Sequence, residues 1–168
     1  MNKRAGVGRR LAASLYETLL LAALALVVGF ALLPVLGAAP SLPADERALP
    51  LLKPGAQAIS FGSLFLVLGS YCVWGWSGGR RTLPMKTWHI AMESAAGARI
   101  SLSRAALRYA AWWIGPALAI AAYAALRPQG HDRWALALLA VNYAWVLLNA
   151  DRQFLHDRVA GTRLVDAS

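Results

Sequence analysis

Long apolar runs separated by short polar and charged segments dominate the hydropathy pattern of the chain. The first run is Leu11–Leu36, and three more follow at about residues 57–76, 105–126 and 134–150. About 20 apolar residues of α-helix cross the hydrocarbon core of a bilayer. The pattern therefore predicts four membrane-spanning helices, the fourth at the lower edge of spanning length.

The segments between the runs have compositions of their own. Residues 37–56 are rich in proline and predict an irregular loop. The segment Thr82–Glu93 is amphipathic, partly alternating and too short to span, and a turn follows it. We therefore expect Thr82–Ser103 to form a cytoplasmic hairpin or an interfacial excursion. Gly115 and Pro116 interrupt the third run and predict a kink. The predicted fold class is all-α transmembrane, a single membrane domain over residues 1–168.

Charge and composition set the orientation of these helices. The chain is 58% hydrophobic and 15% charged, with a net charge of +9. Of the 17 Lys and Arg, 13 lie in the N-terminal flank, the second loop with the entry to the third helix, and the C-terminal tail. This bias predicts that both termini are cytoplasmic. Because the basic residues flank apolar runs, we expect anionic lipid headgroups, and no nucleic acid, as their partners.

Two ionisable residues lie at the start of the first helix. Arg10 and Glu17 are seven residues apart, nearly two helical turns, so they share one helix face. A carboxylate inside a spanning segment is rarely left without a partner or a use. Glu17 is either a proton or cation site, or a buried partner of Arg10 that holds the helices together. Its depth near the interface favours the structural role. Arg10 also has the reach to bind lipid phosphate.

A second acidic residue lies in the polar C-terminal segment. Asp157 either lines the cytoplasmic mouth beside Glu17 or braces the tail through Arg152 or Arg158, and we favour bracing. We interpret the adjacent His156 as a surface histidine. Because adjacent His and Asp do not share a helix face, we predict no metal.

Further polar residues lie on the third and fourth helices. Arg104 and Arg108 are four apart and share a helix face. They either bind lipid headgroups, which is the default, or pair with the two carboxylates. Asn142 and Asn149 share a face of the fourth helix and are able to bond to another helix.

Three ordered motifs resemble the RDD family of bacterial membrane proteins, which is named for one arginine and two aspartates. The resemblance runs from Gly8 to Val165. Its opening, central and closing motifs are Gly8-Arg-Arg-Leu-Ala-Ala-Ser-Leu-Tyr-Glu17; Thr82-Leu-Pro-Met-Lys-Thr-Trp88 with Gly97, Ser101-Leu-Ser-Arg104 and Arg108-Tyr109; and Phe154-Leu-His-Asp157 with Ala160-Gly-Thr162.

The resemblance places the family arginine at Arg10 and the second aspartate at Asp157. Glu17 occupies the position of the first aspartate, which keeps the charge and adds one methylene. The resemblance also implies that the protein lies in the bacterial inner membrane and transports ions, with cation/proton exchange as one possibility.

Two functions follow as hypotheses. The first is a transporter or channel component for small ions, with Arg10, Glu17 and Asp157 clustered at the cytoplasmic side. The second is a non-catalytic membrane scaffold that binds a partner or lipid. We expect no enzymatic activity and no cofactor. Small-residue faces such as Ala12-Ala13 and Ala22-Ala23, together with Asn142 and Asn149, predict a homo-oligomer.

Overall fold

The computed structural model of the chain describes residues 3–36 and 54–167, so most of the predicted proline-rich loop lies outside it. The protein is mostly helical. Its elements are α1 (Val7–Leu36), α2 (Pro54–Trp76), α3 (Leu83–Thr87), β1 (Ile90–Ser94), α4 (Leu102–Trp112), α5 (Ile114–Leu126), two 3₁₀ helices (Arg127–Gln129 and Asp132–Ala140), α6 (Val141–Leu148), α7 (Leu155–Ala160) and β2 (Thr162–Asp166).

In the part of the chain that the structure describes, three helical segments are long and apolar enough to cross a membrane. They are Val7–Leu36, Gly55–Trp76 and Leu102–Gln129. Their outer faces expose large apolar side chains, for example Phe30 at 70%. Side chains of this kind are stable against lipid tails, so the helices are those of a membrane protein.

The fourth predicted span has a different local structure. A 3₁₀ helix of nine residues, Asp132–Ala140, is followed by an α-helix of eight residues, Val141–Leu148. This segment is not among the three helices that are long and apolar enough to span. It packs antiparallel beside α5 after a turn at Gly130, whose φ of 71° is left-handed.

The predicted kink in the third run is confirmed. α4 ends at Trp112, and α5 begins at Ile114. Pro116 has no amide hydrogen to donate to the Trp112 carbonyl four residues before it. The Asn142 side chain donates to that carbonyl instead, with Nδ2 2.7 Å from the oxygen. The break in one helix is therefore satisfied by a polar side chain of another.

The hairpin predicted for Thr82–Ser103 is only partly right. It contains α3 and β1, but β1 pairs antiparallel with the C-terminal strand β2, so the fold is not purely helical. The local alternation gave no sign of a partner about 70 residues away. The N-terminal segment joins the same unit, because the Ala5 amide donates to the Leu164 carbonyl at 3.1 Å.

Candidate functional site

A buried ion pair joins α4 to α7. Nε of Arg108 lies 2.8 Å from Oδ1 of Asp157, and the two side chains are 7% and 1% exposed. The Thr162 hydroxyl also donates to Oδ1, at 3.1 Å. The Arg108 guanidinium lies over the Trp76 ring, 4.2 Å from its centroid. Hydrogen bonds of this kind stabilise a charged pair that is buried. Among the described residues, Oδ2 of Asp157 has no hydrogen-bond partner.

Local sequence explains how these side chains come together. Ser101 caps α4 by accepting from the Arg104 amide, which starts the helix one turn before Arg108. α7 is short and ends at Gly161, whose φ of 62° is the left-handed C-cap conformation. That cap turns the chain into β2 and brings Thr162 back to Asp157.

His156 is buried next to this pair, so the surface position expected for it was wrong. The side chain is 2% exposed, and Nε2 lies 3.9 Å from Oδ2 of Asp157. Burial lowers the pKa of His156 to about 4, although the Asp157 carboxylate opposes the change. The imidazole is therefore neutral at pH 7.

Asp157 remains ionised in the same surroundings. Burial by itself favours the neutral carboxyl, but the Arg108 charge and the hydrogen bonds from Arg108 and Thr162 hold the pKa of Asp157 below its usual range. One cation and one anion, with a neutral histidine beside them, make up this end of the site at neutral pH.

Glu17 is buried on α1 with hydroxyl partners. The Thr82 hydroxyl donates to Oε2 at 2.8 Å, and Tyr71 is a second hydroxyl neighbour. Within residues 3–36 and 54–167, no Lys, Arg or His nitrogen lies within 4 Å of this carboxylate. Arg108 is the cation that acts on Glu17 electrostatically.

A small cavity connects the two halves of the site. Its volume is about 30 Å³, and its lining includes Glu17, Trp76, Arg108, Tyr143 and His156. A water molecule needs at least about 10–15 Å³ of such volume, so the cavity has room for one or two waters. The Arg108 guanidinium, which is bonded to Asp157, therefore borders the same cavity as Glu17.

Arg10 does not pair with Glu17. It is 4% exposed, and Nη2 donates to the Arg152 carbonyl oxygen at 2.7 Å. Its guanidinium lies 5.2 Å from the centroid of the Phe154 ring. The Arg10–Glu17 pair predicted from the seven-residue spacing does not form. Arg10 donates to a carbonyl of the C-terminal segment instead.

Of the two basic residues expected at lipid headgroups, Arg108 departs from that default assignment. Arg108 is inside the protein, paired with Asp157, rather than at a lipid headgroup. That pair also replaces the bracing expected between Asp157 and Arg152 or Arg158. Arg104 is exposed, and its Nη1 donates to the Gly161 carbonyl at 3.3 Å.

Both asparagines bond within the chain. Asn142 donates to Trp112 across the α4–α5 break, and Asn149 accepts from Arg158 at 3.1 Å. Neither contact calls for a second copy of the protein. The described residues contain no group of three or more His, Cys, Asp or Glu side chains placed to hold a metal.

Several members of the site carried no clear signal in the sequence. Tyr71 and Trp76 come from α2, where their spacing matches no recognisable pattern. Thr82 and Thr162 lie in the central and closing motifs, but the resemblance gave neither of them a role.

Comparison with known proteins gives one match. The model of the RDD family matches residues 4–161, nearly the whole chain. No curated protein and no solved structure matches.

Proposed function

This chain belongs to the RDD family, and on that premise we propose that it exchanges protons for small cations across the bacterial inner membrane. One observation carries the proposal. A buried carboxylate in a spanning helix, Glu17, shares a water-sized cavity with Arg108, whose hydrogen-bonded partner is a second carboxylate, Asp157. Ionisable residues within membrane segments are typical of proton relays and ion pathways.

The charge arithmetic of the site supports proton exchange. Arg108 is one cation between two carboxylates, and it is bonded to Asp157. An unneutralised carboxylate is costly in a low dielectric, so Glu17 is best accommodated with a proton or a small cation. We infer that release of that proton draws Arg108 toward Glu17 and weakens its bond to Asp157.

We propose four spans, with the segment 132–148 as the fourth. β1 lies between the second and third spanning helices, and it pairs with β2 at the C-terminus, so both strands lie on one side. The chain leaves that side through α4 and α5 and therefore has to return. Nine residues of 3₁₀ helix and eight of α-helix rise about 30 Å in total. That length equals the hydrocarbon thickness of about 30 Å, which 17 residues of α-helix alone do not reach.

We assign the side that carries the two strands to the cytoplasm. The N-terminal segment is bonded to β2, so both termini and the loop before α4 lie together. These are the three regions with the excess of Lys and Arg, which the positive-inside rule places in the cytoplasm. Exposed Arg104 is available there for anionic headgroups.

A membrane scaffold is the second candidate function. The Arg108–Asp157 pair is closed, with both side chains buried, and the cavity beside it holds no more than one or two waters. A closed pair of this kind holds helices together without any transport. Transport by a chain with so little internal space would use a homo-oligomer, which we also propose and which light scattering in detergent and in nanodiscs will test.

Flux in proteoliposomes separates the two functions. We expect purified protein to dissipate an imposed pH gradient, followed with a pH-sensitive dye, when Na⁺ or K⁺ is supplied on the opposite side. Glu17→Gln will abolish this flux, and Glu17→Asp, the family residue, will retain it. Asp151→Asn is the matched control, because it removes one exposed carboxylate on the same side outside the cluster. If the wild-type protein gives the same trace as empty liposomes with either cation, the transport proposal is wrong and the scaffold is favoured.

A further inference from the structure

Arg10 is a buried cation that is hydrogen-bonded to backbone and attracted electrostatically to Asp157. Its Nη2 donates to the Arg152 carbonyl at 2.7 Å, and its guanidinium lies over the ring of Phe154. Among the described residues no carboxylate oxygen lies within 4 Å of it. A side chain placed in this way is suited to holding a segment of chain in place.

The segment that it contacts has an unusual backbone conformation. Arg152 has a φ of 48°, in the left-handed region that side chains other than glycine, asparagine and aspartate rarely adopt. Its amide donates to the Asn149 carbonyl at 2.8 Å, which closes a tight turn. A residue keeps such a conformation only when its surroundings impose it, and the hydrogen bond from Arg10 is one of those constraints.

This turn leads directly into the helix that carries the ion pair. Phe154 precedes α7, is completely buried, and packs on His156 at a ring distance of 5.6 Å. Asp157 follows one residue later and meets Arg108. Arg10 thus touches both the turn and the aromatic ring that fix where α7 begins.

We propose that Arg10 is a positioning residue, which holds the left-handed turn at Arg152 and thereby sets α7 so that Asp157 meets Arg108. Its charge is not used to neutralise Glu17. This role is separate from ion exchange, because it requires only that the Arg108–Asp157 pair form. It therefore survives if no flux is ever measured.

Two rescue variants distinguish this role from an ion pair with Glu17. Arg10→Ala is expected to lower the melting temperature in detergent by several degrees, whereas Arg9→Ala, an exposed neighbour on the same helix, will lower it less. Adding Arg152→Gly will recover more than half of the loss, because glycine adopts the left-handed conformation without help. Adding Glu17→Gln will recover less than Arg152→Gly does. If Glu17→Gln rescues as well or better, Arg10 is an ion-pair partner and the proposal is wrong.

The pH dependence of stability gives a second test. A general loss of packing would not explain its recovery by a substitution at Arg152. We expect acidification from pH 7 to 5 to lower the melting temperature of the wild-type protein, because His156 is buried as the neutral form. The Asp157 carboxylate beside it favours the imidazolium, and the Arg108 charge and burial oppose it. Arg10→Ala will reduce that drop by displacing α7, and Arg152→Gly in the same chain will bring it back. An unchanged drop in Arg10→Ala would contradict the proposal. If Arg10→Ala does not fold, the pH comparison applies to Arg10→Lys, which keeps the charge and loses the planar contact with Phe154. The drop should again be reduced in the single variant and restored by Arg152→Gly.

Discussion

We attribute the hydrogen bond from Asn142 to the Trp112 carbonyl to the proline at position 116. Pro116 cannot donate to the Trp112 carbonyl, and the Asn142 amide donates in its place at 2.7 Å. Helical bonding resumes one residue later, where the Ala117 amide donates to the Trp113 carbonyl at 2.8 Å. An alanine at position 116 would therefore place an amide hydrogen in line with the Trp112 carbonyl.

The size of the effect follows from the burial of the contact. Asn142 is 1% exposed, so Asn142→Leu leaves a buried carbonyl without a partner. A buried unsatisfied group costs about 1–3 kcal/mol in general. Measured hydrogen bonds between membrane helices average roughly 0.6 kcal/mol and reach about 1.7. We expect Asn142→Leu to lower the free energy of unfolding by about 1–2 kcal/mol.

A double-mutant cycle tests the explanation. In a Pro116→Ala background the restored amide satisfies the Trp112 carbonyl, so we expect Asn142→Leu to cost about 1 kcal/mol less than in the wild type. Unfolding in mixed detergent micelles, followed by tryptophan fluorescence, measures both costs. Ser60→Ala is the control, because that hydroxyl donates to the Ala56 carbonyl of its own helix. Equal costs of Asn142→Leu in the two backgrounds, to within about 0.5 kcal/mol, would refute the reasoning.

Two further predictions concern the buried site. The pKa of His156 is 6.5 in the unfolded chain and is lowered to about 4 in the folded protein. The stability that the neutral His156 contributes is therefore fully present above pH 6.5 and is lost as the pH falls from 6.5 toward 4. We expect a loss of roughly 2 kcal/mol between pH 7 and 5, measured by the same unfolding assay, and a smaller loss in His156→Phe. An equal loss in His156→Phe would assign the effect to other groups. Asp157→Asn should cost about 3–5 kcal/mol because it strands the Arg108 charge, and adding Arg108→Met should recover most of that. No recovery in the double variant would mean that Arg108 is stabilised by something other than Asp157.

The membrane helices were predictable because their signal is local and strong. An apolar run of spanning length can be recognised without knowing which element packs against it. Pro116 likewise marks the break in the third run whatever its neighbours are. The fourth segment was harder to read, because its spacing does not reveal that nine residues adopt the longer 3₁₀ rise.

The pairing of charges was not predictable for a different reason. Seven-residue spacing places Arg10 and Glu17 on one face of α1, but it does not say which element approaches that face. Arg10 is hydrogen-bonded to the C-terminal segment, and Glu17 is hydrogen-bonded to the Thr82 hydroxyl. Arg108 pairs with Asp157 and does not lie at a lipid headgroup. These choices depend on the β1–β2 pairing, which joins segments about 70 residues apart and which no local pattern indicates.

The most direct test of the central claim is whether Glu17 gains and loses a proton in the folded protein. Infrared difference spectra of the protein in lipid, recorded while the pH is varied over the range in which flux changes, report the carboxyl band of a protonated side chain. We predict one carboxyl band that changes over this range, is absent in Glu17→Gln and persists in Asp151→Asn. If Glu17→Gln leaves the difference spectrum unchanged, Glu17 is not the group that exchanges protons, and the proposed mechanism is contradicted.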